Sequence, residues 1–423
     1  MVSRPDPSHQ YHSQNQISLK EATIRLLSNY KLIQKSSNPS QDFLKGEIID
    51  QRFSVLKILG RGSFGKVIKA QNMKNNQIVA IKITKNTPNS SEHALQEIKI
   101  LTEIDNYEHN NGYIVKMLES FYWKDNICTV FELMHKSLYQ LIKETNFQGM
   151  SLSNVKVFAW QILMALKFLK VPELGIIHCD LKPENIMLVS SQNAGVKLID
   201  FGSARRVQSQ YRYVQSRYYR APEALLELTY EFALDMWSAG CIFCELLTGK
   251  PIFPGKNDKD QQVSIIQVKI SEVLGPITDC LADTPSKCPK SALISYFSKE
   301  FNQDDPGFQL FIDLLSKMLT LNPLFRISAE EALVHPFFKE VKFCVKDNRL
   351  RSPFYQSTAS SMESSPSSKL STGIDLSLLF SPSRLGSYTA HEELLLKNFG
   401  EFPRRTSLQE GRKGLILFAK PKE

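Results

Sequence analysis

The 423-residue chain is expected to be α+β and two-lobed: a small β-rich lobe, then a larger, mainly helical one, with unpacked segments at both ends. Three observations carry this. Strand-like alternation starts at Phe53-Ser54-Val55-Leu56-Lys57-Ile58-Leu59, and short apolar runs recur to about residue 133. From Ser151 the period changes, and Val155, Phe158, Ile162, Leu166 and Leu169 make one helical stripe. Both ends have too little apolar surface to order themselves, the stretch 351–388 being about one-third serine. A single core stops growing near ~250–300 residues, which fits two lobes plus tails.

Residues 1–50 form a Ser/Gln/Asn-rich segment. Within it Ser18-x-x-Glu21 reads as a capping box before Ala22, Ile24, Leu27 and Leu32, so a short helix is expected near 19–33, either docked or fraying. The next strand runs into Gly60-Arg61-Gly62-Ser63-Phe64-Gly65-Lys66-Val67. Such a glycine loop lets backbone N–H groups approach phosphate oxygens with no Cβ in the way. Lys82 follows in Val79-Ala80-Ile81-Lys82, on a strand beneath that loop. Between Ser90 and Ile104, Ala94, Leu95, Ile98, Leu101 and Ile104 recur at helical spacing with Glu97 beside the stripe. A carboxylate there needs a cation; Lys82 is the expected partner, and Glu103 is the alternative acid. Strand-like runs at 113–121 and 127–133 lead to Phe131-Glu132-Leu133-Met134, read as a hinge between the lobes (about 51–134 and 135–340).

The chemistry concentrates in His178-Cys179-Asp180-Leu181-Lys182-Pro183-Glu184-Asn185. Pro183 keeps this stretch out of a helix interior. A carboxylate at Asp180 can accept the proton of an attacking hydroxyl, Lys182 can neutralise a γ-phosphate, and the Asn185 amide oxygen can ligate magnesium, a set suited to phosphoryl transfer. The short strand Val196-Lys197-Leu198-Ile199 ends in Asp200-Phe201-Gly202, where Asp200 can chelate magnesium. Then come Tyr211-Arg212-Tyr213-Val214-Gln215-Ser216-Arg217-Tyr218-Tyr219-Arg220 and Ala221-Pro222-Glu223.

Taken together, the Cys of His178-Cys179-Asp180, the Tyr-x-Tyr pair and Gln215 to Glu223 resemble the dual-specificity tyrosine-regulated kinases over roughly residues 50–340. Asp200 to Ala204 and Ile186-Met187-Leu188-Val189 lean toward the homeodomain-interacting kinases, whereas Cys179 and Tyr211 favour the former family. The resemblance implies the bilobal protein-kinase fold and ATP with Mg2+. It implies nucleotide contacts from Leu59, Gly60, Gly62, Ser63, Phe64, Gly65, Val67, Ala80, Lys82, Phe131, Glu132, Leu133 and Met187, and metal ligation by Asn185 and Asp200. Catalytic roles fall to Asp180, Lys182, Lys82 and Glu97. It further implies protein substrates with Ser/Thr-Pro sites, Arg217 orienting the backbone beside the pocket for proline, and self-phosphorylation of Tyr213 rather than Tyr211. Cys179 carries no charge to hold a phosphate in this segment, so Arg217 and Arg220 are expected to do so. Arg326 is expected to pair with Glu223, and residues 256 to about 300 to form an insert.

Composition narrows the alternatives. Apolar content of 42% is ordinary, and no run reaches the ~20 apolar residues of a membrane helix, so no membrane is expected. Met1-Val2-Ser3-Arg4-Pro5-Asp6 lacks an apolar stretch, and seven cysteines cannot all pair, so a reducing compartment, cytoplasmic or nuclear, is expected. Cys241-Ile242-Phe243-Cys244 has ligand-like spacing but lies in an apolar helical pattern, which favours buried cysteines. The net charge of +9 is scattered over the chain, so no nucleic acid is expected. A monomer is expected. The alternative function is a scaffold that binds partners without turnover. The tail 341–423, with Ser-Pro steps at Ser352, Ser365 and Ser381, reads as regulatory or as inert linker.

Overall fold

In a computed structural model the described residues are 44–62, 65–107, 112–192, 194–207, 214–254, 270–274, 276, 290–297 and 301–339, with backbone also at 345–346 and 349–350. The expected helix near 19–33, most of the 256–300 insert, Tyr211, Tyr213 and the serine-rich tail lie outside them.

The first lobe is one antiparallel sheet. β1 (Ile48–Ile49), β2 (Phe53–Arg61), β3 (Gly65–Asn72), β4 (Ile78–Thr84), β5 (Met117–Trp123) and β6 (Asn126–Glu132) lie in the order β1-β2-β3-β4-β6-β5. Alternation places Phe53 and Val55 on the buried face, where Ile68, Ala70, Val79, Ile81 and Val130 close a small core. The helix of this lobe among the described residues, α1 (Pro88–Asp105), starts where Thr87 accepts a hydrogen bond from the Ser90 N–H and Pro88 occupies the first turn. Its buried stripe of Ala94, Ile98, Leu101 and Ile104 belongs to the larger core that continues into the second lobe.

One expected strand is shorter than its apolar run. Residues 113–116 leave the sheet, and the Val115 N–H and Tyr113 carbonyl pair with Leu198 of the second lobe at 3.0 and 2.9 Å. The same apolar residues serve either partner, and tertiary contact selected the interlobe one.

The second lobe contains α2 (Leu138–Glu144), α3 (Leu152–Leu169), the two-residue strand β7 (Ile176–Ile177), the hairpin β8 (Ile186–Leu188) with β9 (Val196–Leu198), β10 (Arg205–Arg206), α4 (Pro222–Leu225), α5 (Ala233–Thr248), α6 (Lys290–Phe297), α7 (Pro306–Met318) and α8 (Ala329–Leu333). Capping boxes at Ser137/Gln140 and Ser328/Glu331 start α2 and α8. Helix α3 is long and apolar enough to pass for a membrane span, but it is the central core helix, mostly covered by protein. Helix α5 is buried on every side from Leu234 to Thr248, Cys241 and Cys244 included, and neither cysteine forms a disulfide.

The expected Arg326–Glu223 pair is present. Both side chains are fully buried, bonded at 2.6 and 2.9 Å, and Arg326 also donates to the carbonyls of Thr320, Leu321 and Ala233. Every donor of that guanidinium faces an oxygen, so the loss of either partner strands a charge. Arg326→Ala is expected to lower stability by about 3–5 kcal/mol, measured by urea unfolding; a loss under ~1 kcal/mol would show that the pair is not what holds α4 to the lobe.

Candidate active site

Between the lobes lies a cavity of about 290 Å³ lined by Leu59, Gly60, Val67, Ala80, Lys82, Glu97, Val115, Phe131, Glu132, Leu133, Met134, Asn185, Met187, Ile199 and Asp200. Most of the nucleotide contacts expected from sequence therefore converge. Gly62 and Gly65 do not line the cavity. Gly62 donates its N–H to the Gly65 carbonyl at 2.9 Å, and a Cβ at Gly65 would run into the carbonyl of Ile83 on the neighbouring strand, so close strand approach sets that glycine. Ser63 and Phe64 lie outside the described residues. Sequence reading missed Val115 and Ile199, which arrive from the interlobe run and the residue after β9, and it named Met134 only as the end of the hinge. At the hinge the Glu132 carboxylate accepts from the Lys116 N–H at 2.7 Å and from Lys197 Nζ at 2.6 Å, fastening it to β9.

At the back of the cavity Lys82 Nζ contacts Glu97 Oε2 at 2.7 Å and Asp200 Oδ1 at 2.8 Å. The other oxygen of Glu97, which is almost fully buried, accepts from the Phe201 N–H at 3.2 Å. Glu103, the alternative acid, instead pairs with Arg206 at 2.9 Å. Burial works against the Lys82 charge, but the two carboxylates outweigh it and push its pKa above the ordinary lysine range. Burial pushes Glu97 up against the pull of Lys82, while at Asp200 the ammonium overcomes burial and holds the carboxyl below its usual value.

The loop 178–185 is held from beneath. Asp235, in the first turn of α5, accepts from the His178 N–H at 2.6 Å and the Cys179 N–H at 3.1 Å. Its own carboxyl is pushed up by burial, which these N–H bonds and His178 oppose. Cys179 takes a left-handed backbone with φ 63°, as does Asp200 with φ 63° and ψ 70°. Two non-glycine residues in that region flank the cavity, and such strain persists only where surrounding structure over-determines it.

Asp180 is then fixed from both sides. Its Oδ1 accepts from the Ser216 N–H at 3.1 Å and the Ser216 hydroxyl at 2.7 Å; its Oδ2 accepts from Lys182 Nζ at 2.6 Å and Asn185 Nδ2 at 3.2 Å. Lys182 also reaches Ser216 Oγ at 3.2 Å. Neither Ser216 nor Asp235 was singled out from sequence for this work. Ser216 had a signal, its place within Gln215 to Glu223, but only folding brings residue 216 against residue 180.

The segment carrying Ser216 is locked by Gln215, whose N–H donates to the Cys179 carbonyl at 3.0 Å and whose amide bonds the Leu234 carbonyl, the Ser238 hydroxyl and the Ala221 N–H. Arg217 lies half-buried in the 3-10 turn Arg217–Tyr219. Arg220 is buried, and its guanidinium donates to the Gln215 carbonyl at 2.7 and 3.3 Å, so it braces the segment from within. Tyr219 donates to Glu245 Oε2 at 2.6 Å.

Asn185 donates Nδ2 to the Asp180 carbonyl at 2.9 Å, which turns its Oδ1 away from Asp180. Asn185 and Asp200 both line the cavity and together offer one amide and one carboxylate oxygen. Among the described residues no cluster of three or more His, Cys, Asp or Glu forms a metal site. This donor set fits magnesium, which is held by one or two protein oxygens and completed by phosphates and water.

A model of the protein kinase domain matches residues 53–338. The chain belongs to the protein kinase family. It is 40% identical over 310 residues to the human dual specificity tyrosine-phosphorylation-regulated kinase 4, a match covering 69% of this chain and 58% of that relative. The chain thus spans a little over half the length of that relative, whose name is that of the family the activation-segment residues resemble.

Burial pushes the Glu245 carboxyl from 4.5 up to about 7, the Tyr219 bond opposing the shift. The folded state thus holds this proton more tightly than the unfolded state. Stability is expected to fall as pH rises from about 4.5 to about 7, by roughly 3 kcal/mol at most. Thermal melts of the wild type and Glu245→Gln at pH 5 and pH 8 check this: the variant should lose that decline, and an unchanged decline would assign it to other groups.

Proposed function

We propose that the chain is an active kinase that transfers the γ-phosphoryl group of ATP to Ser and Thr hydroxyls of proteins, favours targets followed by proline, and phosphorylates its own Tyr213. The observation that carries this reading is the Asp180 carboxylate, clamped by Ser216, Lys182 and Asn185 beside the Lys82–Glu97–Asp200 cluster. A carboxylate has about four acceptor positions and those of Asp180 all receive donors, so an arriving substrate hydroxyl takes the position now held by the Ser216 hydroxyl. As the hydroxyl oxygen bonds to the γ-phosphorus, its proton passes to Asp180, and the bond to the β,γ-bridging oxygen breaks with its electron pair leaving on ADP. Lys182 neutralises charge on the transferred group, and Lys82 holds the phosphates behind it. Asn185 and Asp200 would hold magnesium, which would supply charge neutralisation to the phosphates.

Proline preference rests on Arg217, which directly follows the serine that touches Asp180 and so orients the backbone where the residue after the target arrives. Self-modification rests on charge: Cys179 is neutral, and its thiol is kept protonated by burial. A phosphate on Tyr213 brings about −1.5 to −2 charges, and Arg217 and Arg220, four and seven residues on, are the cations to anchor it. We further propose a monomeric catalytic unit of residues 51–340 that acts in the cytosol or nucleus, with residues 1–50 and the tail after 340 as regulatory segments.

The test uses the full chain made in bacteria. Asp180→Asn should lower transfer to a generic Ser/Thr substrate by about 10²–10⁴. Wild type should enrich proline after the target in a positional peptide library. Mass spectrometry should find phosphate on Tyr213 in wild type and none in the variant. Equal activity in both proteins would reject the catalytic assignment. A flat library would reject the proline preference, and an unmodified yet active wild type the self-modification.

A further inference from the structure

Helix α1 touches the turn after Asp200 at more than the Glu97 carboxylate. His93, Gln96 and Glu97 are three and four residues apart and so share one helix face. His93 Nδ1 lies 2.9 Å from the Gly202 carbonyl, Gln96 Nε2 donates to the Ala204 carbonyl at 3.2 Å, and Glu97 Oε1 accepts from the Phe201 N–H at 3.2 Å. A carbonyl only accepts, so its partner assigns the proton to Nδ1. One helix face therefore reads three backbone groups of the four residues that follow Asp200.

That turn must be held by something outside itself. Asp200 is left-handed, and its strain relaxes unless neighbouring structure forbids it. Gly202 lies directly against the His93 backbone: a Cβ there would stand 3.5 Å from the His93 carbonyl. Arg205 Nη1 also reaches the Ala204 and Gly202 carbonyls, at 2.8 and 3.4 Å. Arg205, however, belongs to the same segment and moves with it, so it cannot tie the turn to α1.

We infer that His93 and Gln96 are positioning residues: by holding the Gly202 and Ala204 carbonyls they keep Asp200 in its left-handed conformation and its carboxylate aimed where magnesium is bound. Helix α1 then acts on Asp200 by two routes, through the Lys82 ammonium and through the backbone after it. This deepens the kinase reading and rests on it.

The test compares wild type with His93→Leu, His93→Asn and the double variant His93→Leu/Gln96→Leu. Asparagine places an N–H where Nδ1 stood, so it should rescue. Each is assayed for kcat, for KM toward a peptide, for melting temperature without nucleotide, and for the magnesium concentration giving half-maximal thermal stabilisation with a non-hydrolysable ATP analogue. Losing one such bond costs roughly threefold to tenfold. His93→Leu should lower kcat about fivefold, the double variant should lower it further, and both should raise the magnesium midpoint with KM for the peptide and the bare melting temperature unchanged. His93→Asn should stay within about twofold of wild type.

An unchanged magnesium midpoint in His93→Leu, or a fall in kcat that only tracks a lower melting temperature, overturns the inference. If the double variant does not fold, the Leu and Asn variants at position 93 decide. If wild type transfers no phosphate, the kinase reading fails, and the magnesium midpoint, which needs no turnover, still judges the role of His93.

Discussion

An ammonium enclosed by two carboxylates is the constraint on which the rest of this structure depends. Lys82, Glu97 and Asp200 come from a strand, a helix and a turn in different lobes, yet their charged atoms meet within 2.8 Å. Taking such charges out of water is costly unless each is paired, and removing one partner leaves an uncompensated charge. The position of α1, the closure of the lobes and the conformation of Asp200 are therefore coupled. The run 113–116 reinforces this closure by pairing with β9, and the Lys197–Glu132 contact reinforces it at the hinge.

The second lobe supplies rigidity to residues that would otherwise move. Helix α5 is enclosed on all sides, and it presents Asp235 to the backbone of the loop 178–185 and Ser238 to Gln215. Strained positions at Cys179, Asp200 and Gln215 cluster around that support. The order is physical: a buried apolar helix carries a few satisfied polar groups, these hold a strained loop, and the loop holds Asp180. Ser216 completes the arrangement by bringing the following segment into hydrogen-bond contact with the same carboxylate.

Cys179 gives the site its own character. Where an arginine would offer charge to a phosphorylated segment, this side chain is fully buried, and burial pushes its thiol well above the usual range. The neighbouring cations are committed elsewhere: Arg220 to the Gln215 carbonyl, and Arg205 in part to Gly202 and Ala204. The packing of Gln215, Arg220 and Ser238 thus stabilises the end of the segment without any modification.

Local pattern alone determined the strand alternation from Phe53, the stripes of α1 and α3, the glycine loop, and the residue types at 82, 97, 180, 185 and 200. Those features depend on period and on chemistry carried within a few residues, so they are legible in one dimension. Tertiary structure decided what depends on partners distant in the chain. It drew residues 113–116 to β9 rather than into the sheet, turned Arg220 inward, left Gly65 to strand packing rather than to the cavity, and set Ser216 and Asp235 on the loop 178–185. None of these could be read from spacing, because a hydrogen bond between residues 36 or 57 positions apart exists only once the intervening chain has folded.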